Sequence, residues 1–199
     1  MAIVVEHEKR RFEILEKSLD IFIEEGYEDA TFQKIADRCG ITRTTLYLYF
    51  KNKREIFMWS IKQLTDMIEK DLRVTMSLAE LTHAQRLETV MLTIIDRCAE
   101  NRRLFNVVLT YLLQAQKSGK DPDSRVKRRT IRLRHLMSQM FIAGIDALEF
   151  RAINVKDANE LFYGLVESAI FRIAILDHPK ADDVKDAISL AVKGISIST

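Results

Sequence analysis

Residues 42–48, TRTTLYL, gather a guanidinium, three hydroxyls, a phenol and two aliphatic side chains into two helical turns. Arg43 carries a planar fork of donors that matches a phosphate or the edge of a guanine. Thr44 and Thr45 can hydrogen-bond a base or a phosphate, and Leu48 can meet a thymine methyl. A helix turns by about 100° per residue, so Leu46 and Phe50 share one side and face inward. Thr44 and Leu48 then lie on the far side, with Thr45 and Tyr47 on its flanks. That outward face is small, hydroxylated and aromatic, and it suits the major groove of DNA. Thr42 opens this helix as an N-cap.

Other chemistry has little to work with. His7, His83, His135 and His178 are scattered, and the chain has no HExxH, GxSxG or Gly-rich phosphate loop. Cys39 and Cys98 are far apart without CxxC spacing, which fits a reducing compartment and offers no metal site. The sequence carries no enzyme, cofactor or metal signature.

The reader needs a frame. In Thr31–Arg38 and just beyond, Phe32, Ile35, Ala36 and Cys39 recur at the one-face spacing of a helix. Gly40 stands where a helix end calls for a left-handed residue, and Ile41 plugs the gap before Thr42. Two short helices joined by a tight turn over about 31–50 form a helix-turn-helix pattern. Charge supports the same partner. Residues 1–29 hold four basic and nine acidic side chains, a net of −5. Residues 30–54 hold six basic side chains and one acidic, a net of +5, within a chain whose total is only +2. Positive charge concentrated on the motif is what a phosphate backbone calls for. After Phe50, Asn52 and Glu55 have capping-box spacing, so Lys53 falls in a first helical turn where ammonium and backbone N–H groups can share a phosphate.

The pattern T-x-x-x-IA-x-x-C-G-I-T-x-x-T-LY-x-YF-x-x-K, Thr31 through Lys53, resembles the DNA-binding domain of the TetR family of transcriptional repressors. Cys39 stands where that family usually has a small residue, and Thr44 where it often has Gly, Pro or Ala. The resemblance implies that Tyr47 and Tyr49 touch the DNA backbone, and that Thr31, Lys34 and Lys53 clamp flanking phosphates. The expected DNA-binding set is Thr31, Lys34, Thr42, Arg43, Thr44, Thr45, Tyr47, Leu48, Tyr49 and Lys53. By periodicity, Tyr49 lies nearer the inward side. The family also implies a homodimer on double-stranded operator DNA, released by a small-molecule effector held among the middle helices.

Composition fixes the class. The 199 residues are 47% hydrophobic and 30% charged, with six Gly and two Pro, so long helices dominate. The expected fold is all-α: an amino-terminal three-helix domain, residues 1–54, and a helical effector-binding and dimerisation bundle, residues 55–199. A first helix over Glu6–Glu25 carries Phe12, Leu15, Leu19, Phe22 and Ile23 as its apolar stripe, and Gly26 stops it. A helix from about Lys53 to Met76, about 35 Å long, links the two parts. Thr82 and Gln85 form a capping box before the stripe Leu87–Cys98. Residues 102–117 are apolar nearly all round and read as a central helix. Turns fall at 119–124 and at DHPKAD, and 195–199 should fray.

From Ser124 to about Phe150 one face carries Val126, Leu133, Met137, Met140, Phe141, Ile145 and Leu148. The other face, Arg125 to His135, extends back through Lys117 and Lys120. It reads as a solvated face or a dock for an acidic effector. Met58, Trp59, Met67, Phe105, Tyr111, Met137, Met140 and Phe141 are candidates for the wall of a pocket that prefers an apolar or aromatic effector. Leu161, Leu165, Ala169, Ile173 and Leu176 form the stripe expected to meet its twin in a four-helix interface. No run is apolar enough to span a membrane and no targeting signal is visible, so the expected compartment is the cytoplasm. The alternative is a helical small-molecule-binding or enzymatic domain with a vestigial helix-turn-helix.

Overall fold

The computed structural model describes residues 2–119, 124–176 and 181–197; the side chains of 2–5, Leu64, Met67 and 124–130 fall outside that description. The chain forms two compact units, residues 1–67 with 107–111 and residues 68–106 with 112–199. The division runs through the long fourth helix.

The first unit is built on α1 (Ala2–Asp29), α2 (Phe32–Cys39), α3 (Arg43–Tyr47) and the first part of α4 (Lys53–Met76). Helix α1 starts earlier and ends later than its periodicity suggests. Gly26 takes φ 84° and ψ 168°, a break that only glycine makes cheaply, and helical turns resume to Asp29. The buried face is also turned from the expected one. Ile14, Leu15, Ser18, Ile21 and Phe22 go in, whereas Phe12 is 46% exposed. Leu19 and Ile23 are only half-buried. The buried Ser18 hydroxyl returns to the Ile14 carbonyl at 2.5 Å, so its burial leaves no unpaired donor.

The second unit has a core supplied by α5 (His83–Glu100), α7 (Ser124–Asp146), α8 (Val155–Ala174) and α9 (Asp182–Ile195). Helix α5 inserts Leu87, Val90, Met91, Ile94, Ile95 and Cys98, the full stripe read from its sequence, behind the Thr82–Gln85 capping box. Burial pushes the Cys98 thiol up to about 12, so it stays protonated and packs as an apolar group.

Helix α6 (Arg102–Lys117) corrects an expectation. It is not central: Leu104 and Val107 are buried, other apolar residues are half-buried, and Leu113 is 56% exposed. Exposed Arg103, Asn106, Thr110, Leu113, Gln114 and Lys117 share one side, so the helix is two-faced rather than apolar all round. Leu148 is a second correction. It lies beyond the end of α7 at φ 58° and is 78% exposed.

The segment after α7 holds the second unit together. The Glu149 carboxylate accepts from the His83 N–H at 2.7 Å and caps the start of α5. Phe150 pairs antiparallel with Ser196, where Arg151 N–H donates to Ile195 O at 2.9 Å and Ile197 N–H to Glu149 O at 2.8 Å. The tail expected to fray is therefore pinned through Ile197. Residues 198–199, and the turn residues 120–123 and 177–180, lie outside the described residues.

The buried Phe150 ring lies directly on Gly144, so that even a methyl group there would overlap ring carbons. Gly144→Ala is expected to lower stability by about 1–3 kcal/mol through overpacking. Urea unfolding with an unchanged m-value would read that loss, and an unaltered midpoint would refute the packing argument.

Candidate nucleic-acid interface

Caps define both short helices of the motif. Thr31, extended at φ −109° and ψ 157°, accepts the Lys34 N–H at 3.2 Å and starts α2. Helix α2 buries Phe32, Ile35, Ala36 and Cys39, the four residues its spacing singles out. Gly40 then adopts φ 67° and ψ 34°. Its N–H reaches Asp37 O and the Ile41 N–H reaches Ala36 O, each at 3.0 Å, which satisfies two carbonyls at the helix end. Thr42 accepts the Thr45 N–H at 3.0 Å and the two hydroxyls lie 2.8 Å apart. Regular α3 is only five residues long, although Phe50 N–H still reaches Leu46 O at 3.1 Å. Leu46 and Phe50 are buried as expected.

Thr44 is exposed, Tyr47 is 49% exposed and Leu48 is 75% exposed, so these side chains form the outward face that the helical arithmetic requires. The Tyr47 ring rests on Phe32 with centroids 4.6 Å apart. Arg43 Nη2 donates to the Tyr47 phenol at 3.3 Å, which holds the guanidinium beside the face. Tyr49 is half-buried and stacks on His7 at 4.6 Å.

The flanking cations are engaged within the protein. Lys34 Nζ pairs with Glu25 at 2.7 Å and donates to Asp29 O at 3.2 Å. Arg38 pairs with Glu24 at 2.6 Å, and its hydrogen bond holds the Glu24 carboxyl below the usual range. Lys53 Nζ donates to Tyr27 O at 2.7 Å and Glu28 O at 2.9 Å, closing the carbonyl end of α1, and sits 4.5 Å from the Tyr27 ring centroid. An ammonium has three donors, which leaves one for a phosphate oxygen. The expected capping box is modified here. Asn52 accepts the Glu55 N–H at 2.9 Å, while the Glu55 carboxylate takes the Lys51 N–H at 2.7 Å rather than that of Asn52.

Sequence reading missed the contribution of α1. Arg10 and Arg11 stand near the start of α1, where a cation can touch phosphate or stay solvated; Arg10 instead donates to Cys39 O at 3.2 Å. Arg11 lies 4.8 Å from the Phe50 ring centroid and 4.6 Å from that of Trp59. Their place one turn before Ile14 and Leu15 on the buried face was the available signal. Tyr27 was also missed. Its ring packs on Phe57 at 4.9 Å and Tyr111 at 4.6 Å, and burial, with Tyr111 beside it, pushes its phenol up to about 12.

Residues 14–58, which span this geometry, match the family model for bacterial regulatory proteins of the tetR family. Its DNA-binding domain is of the TetR family. The chain is a DNA-binding transcriptional regulator, and its likeness to known regulators extends beyond the motif. The fatty acid metabolism regulator protein of Bacillus subtilis is 22% identical over 92% of this chain and 94% of its own. A TetR transcription regulator from Haloarcula marismortui shares the fold at TM-score 0.79 and 18% identity, covering 96% of this chain and all of the other. FadR from Bacillus subtilis, solved in complex with stearoyl-CoA, gives TM-score 0.72 at 20% identity over 92% of this chain and 98% of its own.

The candidate pocket residues are divided between the two units. Met58 and the Tyr111 ring belong to the first unit, whereas Met137, Met140 and Phe141 fill the core of the second, with Phe105 against it. Met67 lies outside the described side chains, as do Arg125, Arg128, Arg129 and Lys120 of the basic face. Within that face Lys117 and His135 are exposed, and Arg132 pairs with Glu69 at 3.5 Å. Among the described residues no helix is long and apolar enough to cross a membrane.

Proposed function

We propose that the chain is a cytoplasmic, homodimeric repressor whose α3 reads an operator half-site and whose effector is a long-chain acyl group. The observation that carries the DNA reading is the outward face of Thr44, Tyr47 and Leu48 above buried Leu46 and Phe50. Arg43, Thr44, Thr45 and Leu48 meet base edges in the major groove, with Arg43 also within reach of phosphate. Thr31, Lys34, Thr42, Tyr47 and Tyr49 face the backbone on either side, and Lys53 offers its third hydrogen there. Substituting Thr44 or Leu48 with Ala is expected to leave random-sequence binding nearly unchanged and to cost about 1–3 kcal/mol at particular base pairs. Titrations against operator and scrambled duplexes over a salt series decide this; a uniform loss on both duplexes would place the reader elsewhere. A wild-type protein giving no salt-dependent shift on any promoter fragment would favour the vestigial-motif alternative.

Dimerisation rests on a face the protein leaves uncovered. On α8, Leu161, Phe171 and Ile175 are exposed beside half-buried Leu165 and an open Gly164; on α9, Leu190 is 72% exposed beside an open Gly194. The expected stripe is corrected by this geometry, because Ala169 and Ile173 are buried in the chain's own core. Two copies meeting on the outward residues form a two-fold four-helix interface, and the glycines let backbones approach. Leu190→Glu is expected to give a monomer with unchanged helicity and a large loss of operator affinity, read by sedimentation and DNA titration together. A folded Leu190→Glu dimer would reject this face.

The acyl effector is suggested by the relatives named for fatty acid metabolism and by the stearoyl-CoA bound to one of them. Stearoyl-CoA is expected to release the operator complex, with stearate and coenzyme A as separate arms. By linkage its affinity for the DNA-bound protein falls by the factor with which it weakens DNA binding. Equal affinity for free and DNA-bound protein would exclude this control.

A further inference from the structure

Arg10 and Arg11 occupy the same face of α1 as Ile14 and Leu15, one turn earlier, and both point into the first unit rather than away from it. We propose that these two arginines are positioning residues that fix the reader helix, and that neither contacts phosphate. The proposal rests on the DNA-binding reading above.

The chemistry is that of a helix end supplied with a cap from a distant residue. At the close of α2, the Gly40 and Ile41 N–H groups serve Asp37 O and Ala36 O, and neither serves Cys39 O. Arg10 Nη2 donates to that carbonyl at 3.2 Å across 29 residues of sequence. A guanidinium at this end also opposes the partial negative charge of the helix terminus. Its second arm, Nη1, donates to Glu13 at 2.8 Å. Glu13 thereby orients the fork and neutralises it, which lowers its attraction for a phosphate. The contact falls on the residue immediately before Gly40, so it fixes the point from which α3 departs.

Arg11 acts at the other end of the reader. Its guanidinium carbon lies 4.8 Å from the Phe50 centroid and 4.6 Å from the Trp59 centroid, wedged between the residue that closes the reader and α4. Phe50 is fully buried, so displacing this wedge changes how the reader's last turn is seated. Trp59 is the single tryptophan of the chain, which makes its fluorescence a direct report on that contact.

The experiment compares wild type, Arg10→Ala, Arg10→Lys and Arg11→Met on two duplexes. One is an operator selected from random duplexes by the wild-type protein, and the other is its scrambled counterpart. Salt dependence, thermal melting and Trp59 emission are measured for each protein. Arg10→Ala is expected to weaken operator binding about tenfold, the factor matching one lost charged hydrogen bond, with the salt slope and scrambled-DNA affinity unchanged. Arg10→Lys is expected to resemble Ala, because one ammonium cannot bridge Glu13 and Cys39 O in the geometry of the fork. Should Arg10→Ala fail to fold, the Lys variant decides. Arg11→Met is expected to shift Trp59 emission and to lower operator affinity with an unaltered slope. A slope shallower by about one per site in Arg10→Ala, restored by Lys, would make Arg10 a phosphate contact and overturn the proposal. Unchanged operator affinity in both the Arg10 and Arg11 variants would overturn it as well. A wild-type protein that selects no duplex would instead remove the DNA reading on which it rests.

Discussion

Helix α2 must stop and α3 must start within Gly40, Ile41 and Thr42, and the reader has no orientation without that turn. Gly40 at φ 67° makes it possible, since a side chain there costs about 1–2 kcal/mol through its Cβ. The left-handed residue aims two successive N–H groups back at α2, and Thr42 captures the Thr45 N–H in the first turn of α3. Backbone groups are thus satisfied on both sides of the bend. The outward face can then be chosen for what it touches, because buried Leu46 and Phe50, the caps and the contacts from α1 hold it in place.

Charge on the motif is arranged for exchange. Lys34 and Arg38 meet Glu25 and Glu24 on the acidic helix α1, and these pairs are exposed. Exposed ion pairs contribute only about 0–1 kcal/mol, so a phosphate can replace the carboxylate at small cost. The net charge of −5 before the motif and +5 within it is therefore a local balance rather than a bare positive field. Lys53 differs, because backbone carbonyls hold it and none of those bonds must break for a third contact. On the proposed reading, the electrostatic part of binding comes from swapping partners, and discrimination is left to the outward face of α3.

What was legible in the sequence was local. The stripe of α2, the left-handed Gly40, the Thr42 cap and the Thr82–Gln85 box each depend on residues within one or two turns, and each is present. Failures came where a helix offers more apolar residues than one face can hold. Helix α6 was read as central because its composition is apolar, yet composition does not say which side is covered. In α8 two stripes were merged: Phe162, Val166, Ala169 and Ile173 point into the core, while Leu161 and Ile175 point out. The contacts of Arg10 and Lys53 were invisible for another reason. They join residues 29 and 26 positions apart, and nothing local marks the receiving carbonyl.

The two faces of α8 also explain why the end of the second unit is so firmly tied. In the proposed dimer the surface must fit its own copy and needs both helices fixed relative to each other, since any slip breaks the match twice under two-fold symmetry. The Phe150–Ser196 pairing anchors the end of α9 to the end of α7, and Glu149 joins the same segment to α5. Asn159, buried at 6% exposure, donates to Arg134 O at 2.7 Å and so fixes the start of α8 against α7. Its Oδ1 has no hydrogen-bond partner among the described residues, a cost accepted at a buried position. Polar anchors of this kind add little net stability, but they admit only one register between the helices they join. That register sets where the outward residues of α8 and α9 stand.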